Sequence, residues 1–277
     1  MAASKMDRDS FPAPAASDYR EFRPAPELRE HFLCFWSQSV SSEACRHLVL
    51  PDACIDIVLI DAAPPVVVGP WTKPFVTHLP AGSLVVGARF HPGAAARLLS
   101  VPVSELLDLS VPLAEVWNKN VVDSFSSISE LPDIRAKRGA LESAMLGRIS
   151  YSREPDRTVE TAIRAFARHP EARIERVSRY LGMSSRQLQR RFHAAVGYGP
   201  KLFQSVLRFQ RLLHIAGAAN GSGTLVSSSI EAGYADQPHM TREVRRFSDT
   251  SPSALLGSAR CTLQMSDFFK TDFRGSA

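Results

Sequence analysis

The chain has 277 residues, of which 44% are hydrophobic, and its formal net charge is +5. This length predicts two domains with enough apolar material for packed cores. No apolar run approaches the roughly 20 residues of a membrane-spanning helix, and the N-terminus lacks the apolar core of a secretion signal, so a membrane protein is excluded and the cytoplasm is the expected location.

The first half of the chain has the pattern of a β-rich unit. Residues 1–18 are polar and rich in Ala, Pro and Ser, which predicts a disordered tail. Short runs of Val, Ile and Leu, separated by Pro, Gly and Asp, then predict several strands of a small barrel or sandwich. The runs are "RHLVLP", "CIDIVLID", "PVVVG", "FVTHLP" and "SLVVGARF". Residues 91–101 and 102–117 have the apolar spacing of short helices, and 19–117 are predicted to form one β-rich domain.

A connector of 118–157 follows. Its first part, 118–133, is rich in Ser, Asn and Asp and predicts a loop. Residues 134–149 have the spacing of an amphipathic helix. The apolar side of this helix holds Leu141, Met145 and either Ile149 or Leu146. Residues 151–157 are polar, contain a proline and predict a linker.

Positive charge is concentrated in residues 158–260. This segment holds 15 Lys and Arg against 7 Asp and Glu, and all but one of its basic residues are arginine. Arginine suits phosphate and base-edge recognition because its planar guanidinium can donate two parallel hydrogen bonds. A solvated surface is the usual explanation of excess charge, but concentration in one folding unit indicates a polyanionic partner.

The segment begins with a helix-turn-helix pattern. Residues 173–181 place Ile174, Val177 and Leu181 on one helical stripe, and Gly182 ends that helix. Ser184 and Gln187 form a capping-box signature, so a second helix is predicted at about 184–195. Its Leu188 and Phe192 face one side. At 100° per residue, the opposite side carries Arg186, Arg190 and His193, with Gln189 beside them.

The pattern recurs about 51–52 residues later. Gly233 ends a helix, a short turn follows, and a second recognition-type helix is predicted at about 236–247. Met240 and Val244 are its apolar pair. Between the units, 201–219 predicts a long amphipathic helix that could hold them nearly one DNA turn apart.

These two units resemble the AraC/XylS family of bacterial transcription regulators. The resemblance covers 158–257 and is most specific in "GYADQPHMTREVRRFSDTSPSAL"; "LGMSSRQLQRRF" resembles the first helix-turn-helix of that family. The segments "PAPELREHFLCFWS", "LPDACIDIVLI", "VVGPWTKPF" and "ARFHPGAAARLL" resemble a sensor domain found before such motifs.

The resemblance implies an α+β multidomain protein. A cupin-like β-barrel for effector sensing or dimerisation would precede an all-α domain, 158–260, with two helix-turn-helix motifs joined by a long helix. It also implies sequence-specific binding of double-stranded DNA in successive major grooves. Arg186, Gln189 and Arg190 match base-reading positions of the first unit, and Pro238, Thr241 and Arg242 match those of the second. The full predicted set of DNA contacts is Arg186, Gln187, Gln189, Arg190, His193, Gln237, Pro238, Thr241, Arg242 and Arg245.

The second unit departs from the family pattern. Ser228 and Ser229 stand where the family favours an aliphatic residue and Ala, and serine is a weak helix and core former. Pro238 suits a first helical turn but offers no hydrogen bond to a base. Asp249 stands where Gly is usual. We therefore expect the first unit to dominate sequence specificity.

Catalysis is not expected. The four cysteines lack CxxC spacing, and neither a metal-ligand cluster nor a catalytic motif is present. The candidates weighed for metal binding were His31, His47, His78, His91, Asp52 and Asp56. No cofactor is predicted. A metal-dependent cupin enzyme and an effector-binding module, each with a vestigial DNA-binding half, stay open as alternatives.

Further partners are left open by the sequence. RNA polymerase, a small-molecule effector and a second copy of the chain are candidates, and no membrane contact is expected. Arg89 could pair with a buried carboxylate or with an anionic effector. The aromatic run "FLCFW" suits either core packing or the wall of a ligand pocket. The tail of 261–277 has no functional interpretation.

Overall fold

The computed structural model of the protein describes residues 17–42, 44–61, 63–99, 101–218 and 229–255. No helix within these ranges is long and apolar enough to cross a membrane. The predictions for 1–16, for Ser228 and for 261–277 lie outside the described residues.

A β-rich region comes first, and its described part contains eight strands. They are β1 (Ser17–Phe22), β2 (Phe32–Val40), β3 (Cys45–Val49), β4 (Asp56–Ile60), β5 (Val66–Val68), β6 (Phe75–Leu79), β7 (Leu84–Phe90) and β8 (Ser110–Pro112). Short 3-10 turns lie at Pro26–Leu28, Ala95–Arg97, Val103–Leu106 and Leu113–Glu115.

Helices make up the rest of the described chain. They are α1 (Lys119–Ser129), α2 (Ile134–Ile149), α3 (Arg157–Arg168), α4 (Ile174–Tyr180), α5 (Ser185–Val196), α6 (Pro200–Ala218) and α7 (Gln237–Ser248). Residues 229–231 and 252–255 are also helical. The predicted order of a β-rich unit followed by a helical unit is confirmed.

The strands form two antiparallel sheets. Six strands pair in the order β1-β2-β7-β4-β5-β8, and β3 pairs with β6 in a separate ribbon. The Val-, Ile- and Leu-rich runs found in the sequence all form strands, because branched side chains pack well on a pleated, half-buried surface.

Alternation along the strands gives the six-stranded sheet two different faces. One face carries Ile57, Val86 and Phe90, which pack with residues of α1 and α2 in one hydrophobic core. The opposite face, the cavity face, carries Trp36, Val58 and Val85 together with Tyr19 and Arg89. The sheet therefore separates a packed core from an open volume.

The helical region has its own core, centred on α6. Phe192 of α5 lies between Phe166 and Phe203, with ring centroids 6.1 and 5.2 Å away. Leu50 and Ala53, from the loop before β4, belong to the same hydrophobic cluster. The β-rich and helical regions are thus packed together through this loop.

Three sequence predictions are wrong. Residues 118–133 were expected to form a loop but contain α1, because Asn118 caps the helix and Phe125 and Ile128 are buried. Three serine hydroxyls of α1, those of Ser124, Ser126 and Ser127, donate to backbone carbonyls about one turn earlier and are satisfied within the helix.

The short helices predicted at 91–101 and 102–117 are also wrong. Residues 91–117 form 3-10 turns and β8 instead of α-helices. Pro102 and Pro112 precede the last two turns and cannot continue an α-helix. In addition, β1 begins at Ser17, inside the predicted tail. The predicted helix of 134–149 is confirmed as α2, with Leu141 and Met145 buried and Leu146 exposed.

Candidate nucleic-acid interface and interdomain cavity

The turn between α4 and α5 is built from local signals. Gly182 has a φ of +69°, the left-handed conformation that favours glycine after a helix. Ser184 then caps α5: its Oγ accepts a hydrogen bond from the backbone N–H of Gln187, and its own N–H donates to Gln187 Oε1 at 2.9 Å. The predicted capping box is therefore confirmed.

Two faces of α5 have opposite roles. Leu188, Phe192 and Val196 are buried in the helical core. The other face is exposed, and with Ser184 it lines a concavity of about 560 Å³. The predicted contacts on this face are Arg186, Gln187, Gln189, Arg190 and His193, all of them exposed. Because Gln187 Oε1 is bound at the cap, only the amide NH₂ of Gln187 is left to donate to a ligand.

Neighbouring arginines on α5 differ in what they contact. Arg191 makes two hydrogen bonds of 2.7 Å with Asp156, which also caps α3 through the backbone of Thr158 and Val159. Arg190 is exposed on the concave face. Arg191 thus fixes α5 to α3, whereas the charge of Arg190 faces solvent.

The second unit repeats this arrangement. Asp236 caps α7 by accepting a hydrogen bond from the N–H of His239, and Pro238 occupies the first turn. Met240, Val244 and Phe247 are buried. The predicted contacts Gln237, Pro238, Arg242 and Arg245 are exposed, and Thr241 is half-buried. Asp249 ends α7 with a φ of +56°, the conformation for which glycine is usual.

A buried ion pair attaches α7 to α6. Arg208 donates to Glu243 Oε1 at 2.9 Å and to Ser205 Oγ at 3.0 Å. The side chains of Arg208 and Glu243 are only 13% and 12% exposed. His239 Nε2 lies 3.4 Å from the same carboxylate oxygen. Sequence reasoning missed this contact because its partners are 35 residues apart.

A cavity of about 290 Å³ lies between the cavity face of the six-stranded sheet and the β3–β6 ribbon. Gln210 and Leu213 of α6 also line it, so the helical region closes one side. We call it the interdomain cavity. Most of its wall is apolar, and charged groups enter it at Asp52, Asp56 and Arg89.

Arg89 is surrounded by carboxylates. It binds Asp56 through two hydrogen bonds of 2.9 Å, and its Nη1 lies 3.7 Å from Asp52 and 3.9 Å from Glu21. A buried carboxylate, one of the two partners considered from the sequence, therefore pairs with Arg89. Burial raises the pKa of Asp52, although the charge of Arg89 opposes that rise.

The loop that carries Asp52 also contacts the helical region. Gln210 Nε2 donates to the carbonyl of Pro51 at 2.6 Å. Ala53, with a φ of +63°, and Leu50 are buried in the helical core. One loop therefore forms part of the cavity wall and part of the packing around α6.

Asp52 and Asp56, two of the sequence candidates for metal binding, both lie beside Arg89. Within the described residues, no three His, Cys, Asp or Glu side chains form a group that could hold a metal ion. Cys34 and Cys54 are buried thiols, and burial raises the pKa of Cys54. A raised pKa keeps a thiol protonated and unreactive.

Two protein families match separate parts of the chain. Residues 177–258 match the family described as "Helix-turn-helix domain", and residues 20–112 match a "Domain of unknown function (DUF6597)". No curated protein matches the chain. Among solved structures, the chain is similar to ToxT from Vibrio cholerae at 11% identity and a TM-score of 0.43, covering 87% of this chain and 97% of that one. An apo ToxT variant from strain SCE256 has 11% identity and a TM-score of 0.39, with coverage of 87% and 96%.

Proposed function

We propose that this chain is a DNA-binding transcription regulator of the AraC type and that α5 and α7 are its two recognition helices. They would enter successive major grooves of one duplex. The match of residues 177–258 to a helix-turn-helix family supports the proposal. The observation that carries the proposal is that each helix is anchored through its apolar face while its opposite face exposes arginine.

The chemistry of the exposed side chains supports base reading. Arginine can donate two hydrogen bonds to a guanine edge, and glutamine can pair with an adenine edge. Arg190 and Gln189 of α5 offer both kinds of group, and Arg242 and Gln237 of α7 do the same. Phosphate contacts by the remaining arginines would add affinity that falls steeply with salt.

Both proposed recognition helices pack on α6. With 19 residues, α6 is about 28 Å long at ~1.5 Å per residue. Phe192 of α5 packs on Phe203 of α6, and Phe247 of α7 packs on Phe209. The two helices would therefore have to reach major-groove faces about 34 Å apart from contact points six residues apart on α6.

Binding to selected genomic fragments, followed by footprinting, tests the proposal. Wild-type protein should protect two segments about one helical turn apart. Arg190→Ala should weaken one segment, and Arg242→Ala should weaken the other. A single protected segment, or two variants that weaken the same one, would show that only one helix reads DNA.

We further propose that the β-rich region, 19–117, senses a small molecule and that 118–157 connects it to the DNA-binding region, 158–260. The interdomain cavity supports this proposal because Gln210 of α6 and the Pro51 loop both border it. A ligand that moves this loop would also move α6, on which both proposed recognition helices pack. Binding to RNA polymerase and pairing with a second copy of the chain stay predictions.

A cavity-filling variant tests the sensing proposal. Val58 lines the cavity on the sheet, and Val58→Phe should occupy the ligand's space while leaving the DNA-binding residues intact. A small-molecule extract that changes the DNA affinity of the wild type should not change that of the variant. An equal effect on both proteins would place the response elsewhere.

A further inference from the structure

We propose that the interdomain cavity binds a small organic cation with an apolar body, an aryl or alkyl amine, whose ammonium group contacts Asp52. The inference rests on the proposed sensing function and adds the chemical class of the effector. It follows from the balance of charge at one end of the cavity and from the composition of its walls.

Negative charge is in excess where the polar groups meet. Three carboxylates, those of Asp52, Asp56 and Glu21, lie within 4 Å of the single guanidinium of Arg89. Asp56 already occupies that guanidinium with two hydrogen bonds. Nη1 of Arg89 has no hydrogen-bond partner and lies 3.7 Å from Asp52 and 3.9 Å from Glu21. Among the described residues that line the cavity, Arg89 is the one cationic side chain. An anionic ligand would have to compete with these carboxylates for it, whereas a cation would be attracted to them.

Asp52 is the carboxylate left to receive the ligand. It is 20% exposed, against 13% for Asp56 and 8% for Glu21. Its Oδ1 accepts the backbone N–H of Cys54, but Oδ2 is 3.7 Å from Arg89 Nη1, too far for a hydrogen bond. Burial raises the pKa of this carboxyl because its charge is incompletely compensated. A ligand ammonium group would supply the missing partner.

The walls suit the rest of such a ligand. Tyr19 and Trp36 line the cavity with their ring centroids 5.8 Å apart, and aromatic faces attract organic cations. Trp36 lies across Gly87, where any Cβ would overlap the indole ring. Val66 and Val68, with other aliphatic side chains, cover the remaining wall and would bury an apolar body.

Three probes that share a phenylethyl body separate the ligand classes: 2-phenylethylamine, 2-phenylethanol and 3-phenylpropanoate. Titration calorimetry on the full chain should show the amine binding at least about tenfold more tightly than the alcohol or the carboxylate, as expected for one charge-assisted hydrogen bond. Asp52→Asn should remove this preference while leaving alcohol binding unchanged. Ser110→Ala, a neutral change in the same wall, should preserve the preference.

Three results would overturn the inference. They are equal or tighter binding of the carboxylate, an amine preference that survives Asp52→Asn, and no binding of any probe to protein whose circular dichroism is native. DNA affinity, measured on the same samples without a probe, reports on the DNA-binding proposal separately. An amine that binds without changing DNA affinity would contradict sensing but would support the ligand class.

Discussion

Replacing Arg190 by Ala separates DNA recognition from stability. Arg190 is exposed, so its truncation opens no core cavity, and the free energy of unfolding should change by no more than about 0.5 kcal/mol. If Arg190 reads a base, its loss should cost about 1–3 kcal/mol of DNA binding, a factor of about 5 to 150, at one base position. If Arg190 contacts a phosphate instead, its loss would weaken binding to all DNA sequences equally. It would also reduce the slope of log affinity against log salt concentration by about 0.9.

The matched control is the next residue. Arg191 is bound to Asp156 by two hydrogen bonds, so Arg191→Ala should cost about 1 kcal/mol of stability or less and leave the base preference unchanged. The measurements are fluorescence anisotropy on a panel of single-base variants of the selected site, at two salt concentrations, and urea denaturation. If Arg190→Ala kept the DNA affinity and the salt dependence of the wild type, the assignment of this face of α5 to DNA would be refuted.

Other predictions concern the contacts that only the structure revealed. Glu243→Ala should leave the buried guanidinium of Arg208 without its carboxylate partner and lower the free energy of unfolding, measured by urea denaturation, by about 3 kcal/mol. It should also weaken footprint protection by α7. Intact protection would show that this ion pair is not needed to hold α7 on α6. Because burial raises the pKa of Asp52, the folded chain binds that proton more tightly than the unfolded chain. The free energy of unfolding of the wild type should therefore decrease as pH rises above the ordinary Asp pKa. Thermal melts of Asp52→Asn should lack this decrease, because the variant has no carboxyl group at position 52. Gly87→Ala should displace the indole ring of Trp36 and lower the free energy of unfolding by about 2 kcal/mol in the same denaturation assay. It should also weaken amine binding. Unchanged stability would disprove the close contact between Gly87 and Trp36.

Local signals made the helix-turn-helix predictable. The capping box of Ser184 and Gln187, the left-handed Gly182 and the spacing of Leu188 and Phe192 all act within one or two helical turns. Such signals depend on neighbouring residues alone, so a sequence displays them directly. The exposure of Arg190 follows from the same helical periodicity.

The same kind of reasoning failed where local signals were ambiguous. The serines of α1 suggested a loop. The hydroxyls of Ser124, Ser126 and Ser127 are nevertheless satisfied inside the helix, and Phe125 is buried in the core that α1 shares with the six-stranded sheet. The apolar spacing of 91–117 suggested helices, but Pro102 and Pro112 divide it into turns. In both segments tertiary packing or proline outweighed the pattern of residue types.

By itself, the sequence determined that a β-rich unit precedes two arginine-bearing helical units, because strand and helix periodicity are properties of adjacent residues. Only the tertiary structure decided that Arg89 meets Asp56 across 33 residues and that Gln210 reaches the Pro51 carbonyl across 159. Contacts of this kind depend on how whole elements pack. The interdomain cavity, and with it the proposed site for an effector, exists only once the sheet, the ribbon and α6 have come together.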